Sequence, residues 1–426
     1  MKRLFTLLSL LLTLFTLRAQ VRGHEIRVLV SPDHPDWVYR PDETCTFTVR
    51  VLKAQNPLSD VEVDYELGPE MYPVEKKSGL RLKDGHLTLR SSLTQPGFLR
   101  CKVKAHVDGR TYEGLATAAY APDRLQPLAQ LPADFGDYWS NLLAEARRTP
   151  LDPRMTLLPE RCTDTDNVYH VSFRTHAWGG RFYGILSIPK QEGRYPALLR
   201  VPGAGVRPYG GDTYTAPGKV ITLEVGIHGI PVTQPTSLYD DLAAGALNNY
   251  WTFGLQHRDA SYYRRVIVGA LRAVDFLCSL PQYNGRSLGV TGSSQGGALS
   301  VITAALDSRV TFLAAVHPAL CDHEASLQKR ACGWPHYFYY SGASTPAELE
   351  TVRYYDTVNF ARQLRVPAWF SWGYNDEVCP PTSMYAAYNA VTAPKELHLY
   401  LETGHYWYQE QWDEWQQWIR RQLEVD

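Results

Sequence analysis

Two kinds of hydrophobic patterning divide this chain at a proline-interrupted segment, Ala121-Pro122-Asp123-Arg124-Leu125-Gln126-Pro127. Before it, apolar and polar positions alternate. Cys45, Phe47, Val49 and Val51 interleave with Thr44, Thr46, Thr48 and Arg50. Val61, Val63, Tyr65 and Leu67 interleave with Glu62, Asp64 and Glu66, and Leu99, Cys101, Val103 and Ala105 with Arg100, Lys102 and Lys104. Period two belongs to strands with one buried face, and turns containing Gly, Pro and Asp separate these runs. The pattern predicts a small antiparallel, immunoglobulin-like β-sandwich over residues 20–121, with the polar set facing outward.

After the break, apolar strand-like runs alternate with longer segments of helical period. Strands are expected at Ala197 to Val201, Lys219 to Val225, Leu288 to Val290, Phe312 to His317, Val366 to Gly373 and Glu396 to Leu401, and helices at Tyr262 to Leu280 and Gln409 to Leu423. Such alternation predicts an α/β unit, a doubly wound and mostly parallel sheet, over residues 122–426. Two insertions rich in aromatics, Thr233 to His257 and Asp322 to Asp356, are placed to build the rim of a pocket, with Trp251, Trp334 and Tyr337 as candidate substrate-stacking residues.

The candidate chemistry sits at strand ends. Gly292-Ser293-Ser294-Gln295-Gly296 follows an apolar run and opens a small-residue helix, the sequence form of a nucleophile elbow. A serine nucleophile needs a histidine base and a carboxylate to orient it, and in α/β-hydrolases these follow in the order Ser, Asp or Glu, His. Asp376 lies in the loop after one strand and His405 after the next, both where open α/β sheets place their sites. Ser294, Asp376 and His405 are therefore the expected triad. The oxyanion donors are expected to be the backbone N–H groups of Gln295 and of Ala204, the latter in the loop Pro202-Gly203-Ala204-Gly205. No cofactor is needed for this chemistry. His228, His317, His323 and His336 lack the spacing of a metal site, so no metal is expected.

From about Leu131 onward, the chain resembles the acetyl xylan esterase and cephalosporin-C deacetylase family, carbohydrate esterase family 7. The resemblance rests on Pro132-Ala133-Asp134-Phe135 with Tyr138-Trp139, the strand Arg181 to Leu186, the elbow with its Gln295-Gly296-Gly297 tail, Pro318-Ala319-Leu320-Cys321-Asp322, and the loop Asp376-Glu377-Val378-Cys379-Pro380-Pro381. It implies an α/β-hydrolase that removes acetyl groups from an acetylated sugar or oligosaccharide. Members are often ring-shaped, so a homo-oligomer is compatible with the resemblance. The chain departs from the family pattern at three places. His228 falls within the segment where many members carry Arg-Gly-Gln, Ala204 stands where an aromatic is usual, and Tyr406 follows the histidine where Glu is frequent. These bear on pocket shape and oligomeric contacts.

Lys2 and Arg3 precede a Leu-rich run from Leu4 to Leu17 that is too short to span a membrane, and Ala19 offers a cleavage site. Residues 1–19 are thus expected to be a signal peptide, giving a secreted or periplasmic protein with no lipid anchor, because the first cysteine is Cys45. Cleavage leaves 40 basic against 44 acidic residues, a formal charge of −4 that suggests neither nucleic acid nor an anionic membrane as partner. Seven cysteines leave at least one thiol unpaired within the chain. Cys45 and Cys101 share an inward phase and are the candidate disulfide, with Cys321 and Cys332 a second possibility. Two other functions stay open from sequence: a prolyl-oligopeptidase-like serine peptidase, since the elbow does not distinguish ester from amide, and a non-catalytic carbohydrate-binding protein.

Overall fold

Among the described residues, the alternating N-terminal pattern folds into nine strands in two sheets. The computed structural model describes residues 24–177 and 180–425; the expected signal segment, 1–19, lies outside the described residues. The strands are β1 (Ile26–Pro32), β2 (Val38–Tyr39), β3 (Cys45–Lys53), β4 (Asn56–Pro57), β5 (Val61–Pro69), β6 (Glu75–Leu82), β7 (His86–Ser91), β8 (Gly97–Val107) and β9 (Arg110–Tyr120). One sheet runs β1-β3-β4 with β7 also on β3, and the other runs β2-β9-β8-β5-β6. The period-two apolar set forms the shared interior, with Phe47, Val49, Val51, Val63, Leu99 and Val103 fully buried. Pairing is antiparallel except for the short β2, which runs parallel to β9.

Two expectations for this part are corrected. Cys45 and Cys101 are both buried but are free thiols, as are Cys321 and Cys332. Burial pushes the Cys45 and Cys101 thiols up to about 12, and both pack as small apolar residues. Arg100, on the outward phase of β8, is not solvated: it is 7% exposed. The outer face of that sheet carries the remainder of the protein, so a side chain turned away from the sandwich core enters a second buried layer.

That second part is a nine-stranded sheet of β10 (Arg154–Leu157), β11 (Asp166–Arg174), β12 (Arg181–Pro189), β13 (Tyr195–Arg200), β14 (Ile221–Gly226), β15 (Tyr283–Ser293), β16 (Phe312–Val316), β17 (Ala368–Trp372) and β18 (Lys395–Leu399). Its order is β10-β11-β12-β14-β13-β15-β16-β17-β18. The six strands from β14 to β18 in that order are parallel, and β10 to β12 form an antiparallel edge. The helices are α1 (Phe135–Arg147), α2 (Thr236–Ala244), α3 (Tyr262–Ser279), α4 (Gln295–Leu306), α5 (Pro346–Arg353), α6 (Thr357–Ala361), α7 (Pro381–Ala390) and α8 (Gln409–Leu423).

Both faces of the sheet are covered. Leu198, Phe312, Ala314 and Trp369 meet Trp415, Trp418 and Ile419 of α8. Their neighbours Ala197, Leu199, Leu313 and Phe370 point the other way, into the core shared with α3 and α4. Alternation within each strand therefore feeds two apolar layers, which is why these strands read as continuous apolar runs.

The proline-rich connector is pinned along its length. Asp322 accepts from the N–H groups of Leu128 (2.8 Å) and Ala129 (2.7 Å), and Glu324 from that of Gln130 (3.0 Å). Asn359 and Arg362 donate to the carbonyls of Gln130 and Ala129, and Asn389 donates to those of Pro122 and Leu125. Among the described residues no helix is long and apolar enough to cross a membrane.

Candidate active site

The elbow is built by a close approach of two backbones. A Cβ on Gly292 would lie 2.4 Å from the Val201 carbonyl oxygen, and one on Gly296 would lie 2.3 Å from the same oxygen. Only glycine at both positions lets the β15–α4 turn close against the loop after β13. Ser294, between them, has φ 59° and ψ −124°, an unfavourable conformation for a residue with a Cβ and the kind of strain found where a nucleophile is held out from a sharp turn.

The three residues expected as a triad meet here. Ser294 Oγ and His405 Nε2 are 2.9 Å apart, and His405 Nδ1 and Asp376 Oδ2 are 2.8 Å apart. Asp376 is fully buried, and its other oxygen accepts from the N–H groups of Val378 and Cys379, both at 2.8 Å. With two backbone donors on one oxygen, the other is aimed at His405 Nδ1, an arrangement in which the ring presents Nδ1–H to the carboxylate and Nε2 to the serine. The His405 side chain remains 25% exposed.

His317, just past β16, packs on His405 with ring centroids 4.3 Å apart and also stacks with Trp407 at 5.8 Å. Burial, with the His405 charge adding to it, pushes the His317 imidazole down to about 3. It is therefore neutral beside His405. Among the described residues, His317, Asp376 and His405 also bring ligand atoms within 4.8 Å of one another, but both nitrogens of His405 and both oxygens of Asp376 are engaged in the hydrogen bonds above.

The loop expected to supply the second oxyanion donor lies against the serine: a Cβ on Gly203 would be 3.9 Å from Ser294 Cβ. Its shape is set by groups that only the fold brings together. Gln295 donates to the Pro202 carbonyl (3.2 Å) and accepts from the hydroxyls of Tyr250 (2.6 Å) and Tyr263 (2.9 Å). The Gly205 N–H donates to Tyr250 (3.4 Å), and its carbonyl accepts from His228 Nε2 (3.0 Å). Burial lowers the His228 imidazole to about 4, so it is neutral, with Nδ1 accepting from the Tyr262 hydroxyl at 2.7 Å. Arg207 caps the carbonyls of Ala204 and Gly203. The departure at His228 thus serves as a brace under the loop. Replacing Gln295 by Leu leaves two buried hydroxyls and a carbonyl without this partner, which should destabilise the protein by about 2 to 4 kcal/mol and lower turnover on a short ester; thermal unfolding and steady-state rates check both.

Trp251, Trp334 and Tyr337 line one groove of about 730 Å³, where Trp251 and Trp334 meet edge to face at 5.0 Å. Tyr337 also joins the two insertions, its hydroxyl donating to the Trp251 carbonyl at 2.8 Å. Cys379 is buried, and burial raises its thiol well above the usual range.

The sequence profile described as acetyl xylan esterase (AXE1) matches residues 123–422. The chain belongs to the acetyl xylan esterase family. A relative from Xylanibacter ruminicola, acetyl esterase Axe7A, is 38% identical over 403 residues, covering 93% of this chain and 91% of that protein. Among solved structures, the acetyl xylan esterase from Paenibacillus sp. R4 is 25% identical with a TM-score of 0.62, covering 70% of this chain and 98% of that one. Acetyl xylan esterase 1 from Thermoanaerobacterium sp. JW/SL YS485 shares the fold at 23% identity and a TM-score of 0.57, covering 71% and 97%. The α/β-hydrolase expectation for the nine-stranded part holds, and family membership makes the protein a carboxylic ester hydrolase. The family match begins at residue 123, beyond the last sandwich strand, whereas the Xylanibacter relative aligns over more residues than the matched segment contains and so reaches into the sandwich sequence.

Proposed function

We propose that the protein is a serine esterase that removes O-acetyl groups from acetylated sugars or oligosaccharides through an acyl-enzyme. The observation that carries this reading is the continuous hydrogen-bond line Ser294–His405–Asp376 on a strained elbow in a chain of this family. Ser294 attacks the acetyl carbonyl as His405 takes its proton, and Asp376 fixes the imidazole tautomer and stabilises the imidazolium. The N–H groups of Gln295 and Ala204 receive the oxyanion, aided by the positive end of α4. The imidazolium then protonates the departing sugar alcohol, and water activated by His405 releases acetate. Trp251 and Trp334 offer apolar faces to a sugar ring in the groove that they line.

The same reading takes residues 1–19 as a secretion signal, 20–121 as an immunoglobulin-like module and 122–426 as the esterase. Acetate release from a panel of acetylated oligosaccharides, beside short acetyl, longer acyl and peptide amide substrates, tests it. Preference for acetyl that fades with acyl length supports the reading; faster cleavage of peptide amides refutes it.

A further inference from the structure

We propose that the N-terminal sandwich is a working part of the esterase: Arg100 and Glu70 form a strut that positions the Asp376 loop and thereby aligns His405 with Ser294. This rests on the reading of Ser294, Asp376 and His405 as the triad. The pair is buried, with 8% of the Arg100 side chain and 1% of the Glu70 side chain exposed, and bonded at 2.7 Å. Arg100 Nη2 also donates to the carbonyls of Tyr374 and Asp376, both at 3.0 Å, while Nε is anchored on Thr117 of β9 at 2.8 Å. The second oxygen of Glu70 accepts from the N–H (3.1 Å) and hydroxyl (2.7 Å) of Thr382, in the first turn of α7. One buried pair thus grips the acid loop where it leaves β17 and again where it enters α7.

The rest of the contact has the same focus. Four consecutive residues, Tyr374 to Glu377, each touch the sandwich. Phe98 packs edge-on against Tyr374 (5.2 Å), Asn375 donates to the Leu115 carbonyl (3.1 Å), Asp376 accepts from Arg100, and Glu377 pairs with Lys102 (3.1 Å). Simple adhesion between two parts of a chain does not call for a buried ion pair, since apolar side chains of similar shape often serve as well or better once desolvation is counted. What the guanidinium adds is direction: its planar fork is anchored through Nε on Thr117, which aims Nη2 at Glu70 and at the two carbonyls of the loop. Inside that loop, Val378 and Cys379 aim the carboxylate at His405. The strut fixes the loop from outside. Arg100 and Glu70 do not reach the reacting atoms and are positioning residues.

The test compares the full-length protein with Arg100→Lys and with the double variant Arg100→Met/Glu70→Leu, which keeps shape and leaves no lone charge buried. Folding is verified by thermal unfolding and the substrate is p-nitrophenyl acetate. In the double variant kcat should fall about 10- to 100-fold, the scale of a misplaced catalytic group, with KM nearly unchanged. The acid limb of the kcat/KM profile should move to lower pH, because a slackened Asp376 contact stabilises the His405 imidazolium less. Arg100→Lys keeps the charge without the fork and should lose less, with the same direction of pH shift; it carries the test if the double variant does not fold. Wild-type kcat and an unmoved pH profile in the folded variants overturn the proposal. Ser294→Ala, run alongside, separates the two readings. If it retains turnover the triad reading has failed, whereas an inactive Ser294→Ala beside fully active strut variants refutes the strut alone.

Discussion

Ser294→Ala should lower turnover on a short acetyl ester by roughly six orders of magnitude, the scale set by loss of a triad nucleophile. The fold should not suffer. Alanine keeps the Cβ that already occupies the strained backbone at φ 59°, so the elbow gains no new clash, and the lost hydrogen bond to His405 involves a partly exposed ring. An unchanged melting temperature would place the whole loss in the chemistry. A fluorophosphonate probe and mass spectrometry check the same point directly: the wild-type protein should be labelled at Ser294 and the variant left unmodified. Substantial turnover in a purified, unlabelled variant would remove the serine from its role.

Asp376→Asn should cost about four orders of magnitude in kcat, and the structure says why the amide cannot rescue itself by flipping. The N–H groups of Val378 and Cys379 both point at one oxygen of the side chain and will hold the amide carbonyl there. That turns the NH2 group toward His405 Nδ1, which must then accept. The proton moves to Nε2, where it faces Ser294 and cannot serve a base. Rates across pH, with crystallography or imidazole NMR to read the tautomer, check the result. A variant within tenfold of wild type would mean that orientation by Asp376 matters little here.

The hydrogen-bonded set of Ser294, Asp376 and His405 was legible because its signals are local: a glycine-flanked serine after an apolar run, and an acid and a histidine each just past a strand, in a chain order that few accidents reproduce. The terminal helix was legible to its ends, Gln409 and Leu423, because Trp415, Trp418 and Ile419 recur at helical spacing and all are buried. Arg100 was not. Period two reports which face of its own sheet a residue occupies and says nothing of what docks on the far side. His317 escaped for a related reason, since its importance lies in a ring 88 residues away. Tyr250 and Tyr263, which hold Gln295, sit in an insertion and a helix whose approach to the elbow no spacing announces. The cysteine pair misled because a shared inward phase is necessary for a cross-link but not sufficient.

The pinned connector has a bearing on how the two parts of this chain move. A module on a loose tether samples many distances from its catalytic partner and raises local substrate concentration without regard to register. Here Asp322, Glu324, Asn359, Arg362 and Asn389 hold the linking segment from one end to the other, so the sandwich and Ser294 stay at a fixed separation. With no slack in the connector, a distortion of β8 is carried to the acid loop rather than absorbed between the two parts.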